Sequence, residues 1–107
     1  NVVFLPHWGE GMPDHVNSAK IVKELMNDKK VSIYEYCVWM WYYNVWNLDN
    51  KNAYIVKMDK TMHERKLRAI EQYITPLAPC GKPWSGELPK PFLEAARWNK
   101  ELYFKVK

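Results

Sequence analysis

Residues 1–15, NVVFLPHWGEGMPDH, decide how the rest of the chain is read. Val2 to Leu5 are β-branched or bulky, which predicts a buried strand that Pro6 ends. A loop containing Gly9, Gly11 and Pro13 follows, and then a helical pattern opens on Asp14 and His15. In open α/β sheets, ligands bind beyond the carboxyl ends of the strands. This loop falls there. It carries His7, Glu10, Asp14 and His15, all side chains able to bind a metal or move a proton.

Outward from that stretch the pattern alternates between strand and helix. Val16, Ala19, Val22 and Met26 recur at helical spacing, with Leu25 alongside and Lys20, Lys23, Glu24 and Asn27 on the opposite face. Asp14 is expected to accept from the first free N–H groups of this helix. Residues 31–43, VSIYEYCVWMWYY, are dense in β-branched and aromatic types and free of Gly and Pro. They predict one long strand covered on both faces, with Trp39, Trp41 and Tyr43 on one side of it. Its only charge is Glu35, either a hydrogen-bonded or edge carboxylate or a group turned towards the crevice.

After a polar connection, residues 53–58 predict a short strand and residues 59–74 a helix. Thr61 with Glu64 fits a capping box, and Asp59 is a competing cap. Leu67, Ile70 and Ile74 form the inner face of this helix. Arg65, Lys66 and Arg68 are expected in solvent, and His63 on the surface. Residues 75–90 hold four prolines and two glycines, a long loop of the functional or mobile kind. Pro91 opens another helix, to about residue 100, with Phe92, Leu93 and Ala96 inward. Residues 102–106 alternate as a last strand. The sum is strand–helix–strand–strand–helix–helix–strand, an α/β order.

The composition bounds the function. The chain has 107 residues, 48% of them apolar and 15% aromatic, enough for one domain or part of one. The net charge of +4 is spread without a run, so a nucleic-acid surface is not expected. No apolar stretch approaches the ~20 residues of a membrane span. Cys37 and Cys80 lie in unlike contexts without metal spacing, as expected of two free thiols in a reducing, cytoplasmic compartment. The opening inside a strand, without an initiator Met, leads to the expectation that the chain derives from something longer.

Four pieces, in this order and covering nearly the whole chain, resemble the C-terminal half of the PIG-L/LmbE family of zinc-dependent N-acetylglucosaminyl deacetylases. MPDHVNSAKIV is similar to that family's His-Pro-Asp-His entering a helix. IYEYCVWMWYYN is similar to its Tyr-Glu-Tyr-Pro-Val-Trp strand. YIVKMDKTMHERKLRAIEQYIT is similar to its strand, aspartate and helix with Lys-x-x-Ala-Ile, and LPKPFLEAARWNKELYF to its ending. The resemblance implies a Rossmann-like α/β sheet with flanking helices, incomplete in this chain. It implies removal of an N-acetyl group from an amino sugar by zinc-activated water, since zinc with an open position lowers the pKa of bound water to ~7.

By the same resemblance His15 is a zinc ligand and Asp14 the adjacent acidic residue that tunes it. The other ligands and the general base belong to an N-terminal motif absent here. Met12 stands where the family has a His that stabilises the oxyanion. A thioether donates no hydrogen bond, and loss of one such donor costs ~10²–10³ in rate. His7 is either loop surface or a crevice residue able to replace that donor. The helix ending Tyr73-Ile74-Thr75-Pro76 replaces the family's His-x-Ser-Gln.

Tyr43 and Asn44 are candidates to face the sugar. Trp84 is a candidate to stack on it or to anchor its own loop. The expected partners are a companion N-terminal half pairing with Val2–Leu5, the amino-sugar substrate and a further copy of the chain. Alternatives are an impaired glycan or nucleotide-sugar binding module, favoured by Met12, and a chain that only completes a sheet.

Overall fold

The computed structural model describes residues 1–43, 50–74 and 90–107. Its elements are β1 (Val2–Pro6), α1 (Pro13–Leu25), β2 (Ser32–Tyr36), α2 (Met40–Tyr43), a 3₁₀ turn (Asn50–Asn52), β3 (Ala53–Lys57), α3 (Lys60–Ile74), α4 (Lys90–Ala96) and β4 (Lys100–Lys105). The strands form one mixed sheet in the order β1-β2-β4-β3. β1 and β2 are parallel, with Leu5 beside Glu35, and β2 and β4 are antiparallel, with Glu35 opposite Phe104. The fold is therefore α/β with a four-stranded mixed sheet and helices. The chain divides into two compact units, Asn1–Val56 with Leu102–Lys107, and Lys57–Glu101.

In the first unit, α1 covers one face of the parallel pair. Leu5, Ala19 and Ile33 form its buried centre, with Val3, Val22, Met26 and Val31 packed around them. The opposite face differs from the expected double cover. Val2 and Phe4 are more than half exposed, and Tyr34, Tyr36 and Tyr103 are half-buried. Phe4, Tyr34, Tyr103 and Tyr54 touch there as a chain of rings 5.2–5.9 Å apart. The first strand is thus buried on one side only.

Helix α1 starts differently from expectation. Met12 is its N-cap, without a side-chain cap hydrogen bond, and Asp14 lies inside the first turn. There its charge complements the positive end of the helix. Gly11 enters the helix with φ 74°, which favours glycine. At the other end, the Lys107 ammonium donates to the carbonyls of Met26, Asn27 and Lys29 at 2.6, 2.7 and 2.8 Å. One side chain thus ties together three carbonyls of the helix end and its turn, of which those of Met26 and Lys29 also accept backbone N–H groups.

The long strand of residues 31–43 is not formed. β2 ends at Tyr36, and Met40 opens the short helix α2. Trp39, Trp41 and Tyr43 consequently do not line one side of a strand. The reason is a distant acceptor: the backbone N–H groups of Val38 and Trp39 are taken by Glu10, and the Trp41 indole donates to the Cys37 carbonyl at 3.1 Å. Met40 is fully buried beneath this turn.

In the second unit, Asp59 caps α3, its Oδ1 accepting from Met62 N–H at 2.8 Å, while Thr61 lies within the helix. The competing cap is the one used. Two α3 side chains placed in solvent by the pattern instead serve the end of α4. His63 bonds the Arg97 carbonyl at 2.8 Å, and Lys66 donates to the Trp98 carbonyl at 3.1 Å and pairs with Glu101 at 2.7 Å. α4 stops at Ala96, short of residue 100, and β4 starts two residues before its expected position. The connections at 44–49 and 75–89, with Cys80 and Trp84, lie outside the described residues.

Ile33→Ala should destabilise the fold by about 2–5 kcal/mol in urea unfolding, because the methyl groups removed are buried. Ile21→Ala, at a 56% exposed position of α1, should stay within about 0.5 kcal/mol. Asp59→Ala should cost about 1 kcal/mol and Thr61→Ala much less, since only the former leaves a helix amide without its cap.

Candidate functional site

The loop after β1 and the segment after β2 meet beyond the carboxyl ends of these two parallel strands. Two buried carboxylates organise the meeting. Glu10, 1% exposed, accepts from the backbone N–H groups of Val38 and Trp39 at 2.6 Å each, with Met40 N–H at 3.4 Å. Its Oε2 also lies 3.3 Å from His15 Nδ1. Charge-assisted bonds to backbone amides are among the stronger hydrogen bonds, and they offset the desolvation of the carboxylate.

Glu35 is the second carboxylate. It is fully buried on the α1 side of the sheet, beside Leu5 and opposite Phe104. Its Oε1 accepts from Lys23 of α1, and its Oε2 lies 3.7 Å from His7 Nε2. Among the described residues no side chain or backbone group completes a hydrogen bond to that Oε2.

His7 is 1% exposed, so it is not loop surface. Its ring lies against Trp8 at 5.5 Å and edge-on to Phe104 at 5.0 Å. Its Nδ1 accepts from Gly9 N–H at 2.9 Å. A Cβ at residue 9 would stand 3.1 Å from that nitrogen, so a glycine suits the close approach. His7 thus holds the turn that delivers Glu10, whose N–H bonds the His7 carbonyl at 3.1 Å.

Cys37, which directly follows β2, feels the charges of both carboxylates. Burial first, then the charges of Glu10 and Glu35, push its thiol up to about 12. A thiol so shifted is poorly nucleophilic at neutral pH.

Of the residues singled out in the sequence, the structure brings His7, Asp14 and His15 to one end of the sheet, in unlike settings. His15 is partly exposed, at 23%, on the first turn of α1, and Asp14 is 81% exposed with Oδ2 4.0 Å from His15 Nε2. Tyr43 ends α2. Asn44 and Trp84 lie outside the described residues. Glu10, Glu35 and Lys23 carry more of the geometry than their sequence positions suggested. Only the presence of carboxylates in a Gly-rich loop and in an apolar strand hinted at this.

The donor set fits a divalent metal in part. His15 supplies one imidazole whose other nitrogen rests on a carboxylate, the arrangement typical of metal-ligating histidines. Among the described residues no three His, Cys, Asp or Glu side chains converge as a ligand group. No described helix is long and apolar enough to cross a membrane. No protein-family model, curated protein or solved structure matches the chain.

Lys23→Met should destabilise the protein by about 3 kcal/mol, because it strands Glu35 without its cation. Lys23→Met/Glu35→Leu should recover most of that loss. A single-variant change under 0.5 kcal/mol in urea unfolding would show that the pair is idle. In a Cys80→Ser background, Cys37 should react with iodoacetamide at pH 8 at least about tenfold more slowly than an unshifted thiol, because the rise from 9.0 to about 12 removes more thiolate than the greater nucleophilicity of the remaining thiolate restores.

Proposed function

We propose that this chain supplies part of a metal-dependent hydrolase that removes an N-acetyl, or other N-acyl, group from an amino-sugar-containing substrate. The observation that carries the reading is the placement of His15. It stands at the head of α1, beyond the end of β1, with one ring nitrogen on the buried Glu10 and part of the ring open to solvent. The resemblance of MPDHVNSAKIV and the three later pieces to the PIG-L/LmbE deacetylases supplies the reaction class.

In this reading zinc, when bound, supplies a water acidic enough to attack an amide carbonyl near neutral pH. This chain's own residues hold and tune. His15 binds the metal, Glu10 fixes the ring, and Asp14 adds negative charge at its edge. The remaining ligands and the base come from a companion N-terminal half, seated against β1, which lies at one edge of the sheet. Tyr43, Asn44 and Trp84 are the sequence's candidates to contact the sugar, Trp84 equally a candidate to anchor its own loop. Alone, the chain is inactive.

Met12 favours a second reading, a relative that binds a glycan or nucleotide-sugar without turnover. It is the half-buried N-cap of α1 and has no donor for an oxyanion.

The protein joined to its companion half should release acetate from an N-acetylglucosaminyl substrate, and a chelator should stop the release. Met12→His should raise the rate of an impaired catalyst, by up to about 10²-fold. Absence of bound metal in the joined protein, or no turnover before and after the change, would rule out the hydrolase and leave the binding module.

A further inference from the structure

Glu10 determines more than the position of two loops. Its carboxylate meets Val38 and Trp39 N–H at 2.6 Å each, so donors already surround it. A carboxylate held this way only accepts. A lone pair on His15 Nδ1, 3.3 Å from Oε2, would face another lone pair, whereas an N–H there completes a hydrogen bond. In a neutral imidazole, a hydrogen on one nitrogen leaves the other as the acceptor.

We propose that Glu10 is a positioning residue that locks His15 in its Nδ1–H form and so offers the Nε2 lone pair to a Lewis acid. The His15 side chain keeps 23% exposure while that of Glu10 keeps none, and Nε2, the nitrogen away from Glu10, stands 4.0 Å from the exposed Asp14 carboxylate, beyond hydrogen-bond distance. The identity of the Lewis acid as a zinc-type cation rests on the deacetylase reading; the tautomer does not.

The same loop holds a reference of opposite sense. His7 Nδ1 accepts from Gly9 N–H, so the hydrogen of its neutral ring sits on Nε2, on the side of Glu35. Two histidines eight positions apart therefore hold opposite tautomers, each set by a partner in the loop between β1 and α1.

Long-range ¹H–¹⁵N correlation NMR of the metal-free full chain, at mildly alkaline pH, reads both tautomers. His7→Gln and His63→Gln variants assign the signals. The expected result is Nδ1–H for His15 and Nε2–H for His7. Glu10→Gln should move His15 towards the Nε2–H form, and affinity for zinc alone should fall about 10–100-fold. An Nε2–H ring on His15 in the unmodified chain would overturn the proposal. So would an unchanged tautomer in a folded Glu10→Gln variant. If that variant does not fold, the unmodified chain decides by itself. Failure of the unmodified chain with its companion to bind zinc would count against the deacetylase reading, while the tautomer result stands independently.

Discussion

A single buried carboxylate, Glu10, closes this end of the sheet by gathering amide donors from a segment 28–30 residues further along the chain. Burying a carboxylate is costly unless nearly every lone pair finds a donor. Here the donors are backbone N–H groups that a strand would otherwise have turned elsewhere. Three consequences follow from that one exchange. β2 stops at Tyr36, the short helix α2 begins at Met40, and His15 is held by its inner nitrogen. The site and the interruption of the strand are the same event.

The second carboxylate works in the opposite direction, into the core. Glu35 sits among Leu5, Ile33 and Phe104 and joins α1 to the sheet through Lys23. Among the described residues, the fully buried apolar side chains are few: Leu5, Ala19, Ile33, Met40 and Phe104. With so small an apolar centre, buried ionic groups take a large share in fixing one arrangement. Such pairs do not have to add net stability, but breaking one leaves a stranded charge. His7 ties the two carboxylates together. It faces Glu35 through one nitrogen and holds the turn leading to Glu10 through the other.

Much of the architecture was legible locally. The spacing of Ala19, Val22 and Met26 marked the buried stripe of α1, Asp59 marked the start of α3, and the α/β order of the elements followed. Two of the misreadings share one physical cause, partners remote in sequence. Residues 37–43 have every local feature of a strand, and only Glu10 redirects them. His63 and Lys66 look like solvated helix positions until the carbonyls of Arg97 and Trp98 need donors. Val2 and Phe4 read as buried because bulky apolar residues usually are. A sheet face lined by tyrosines tolerates exposure that a purely aliphatic face would not. The motif drew attention to His15, whereas Glu10, which lies against it, was one carboxylate among several.

The central claim is that Glu10 is the acceptor on which this whole end of the sheet is built, and amide hydrogen exchange tests it most directly. In the unmodified chain the Val38 and Trp39 amides should exchange slowly, and Glu10→Ala should release both while the Ile33 amide in β2 stays protected. Rapid exchange of Val38 and Trp39 in the unmodified chain, or protection undiminished by Glu10→Ala, would contradict the account.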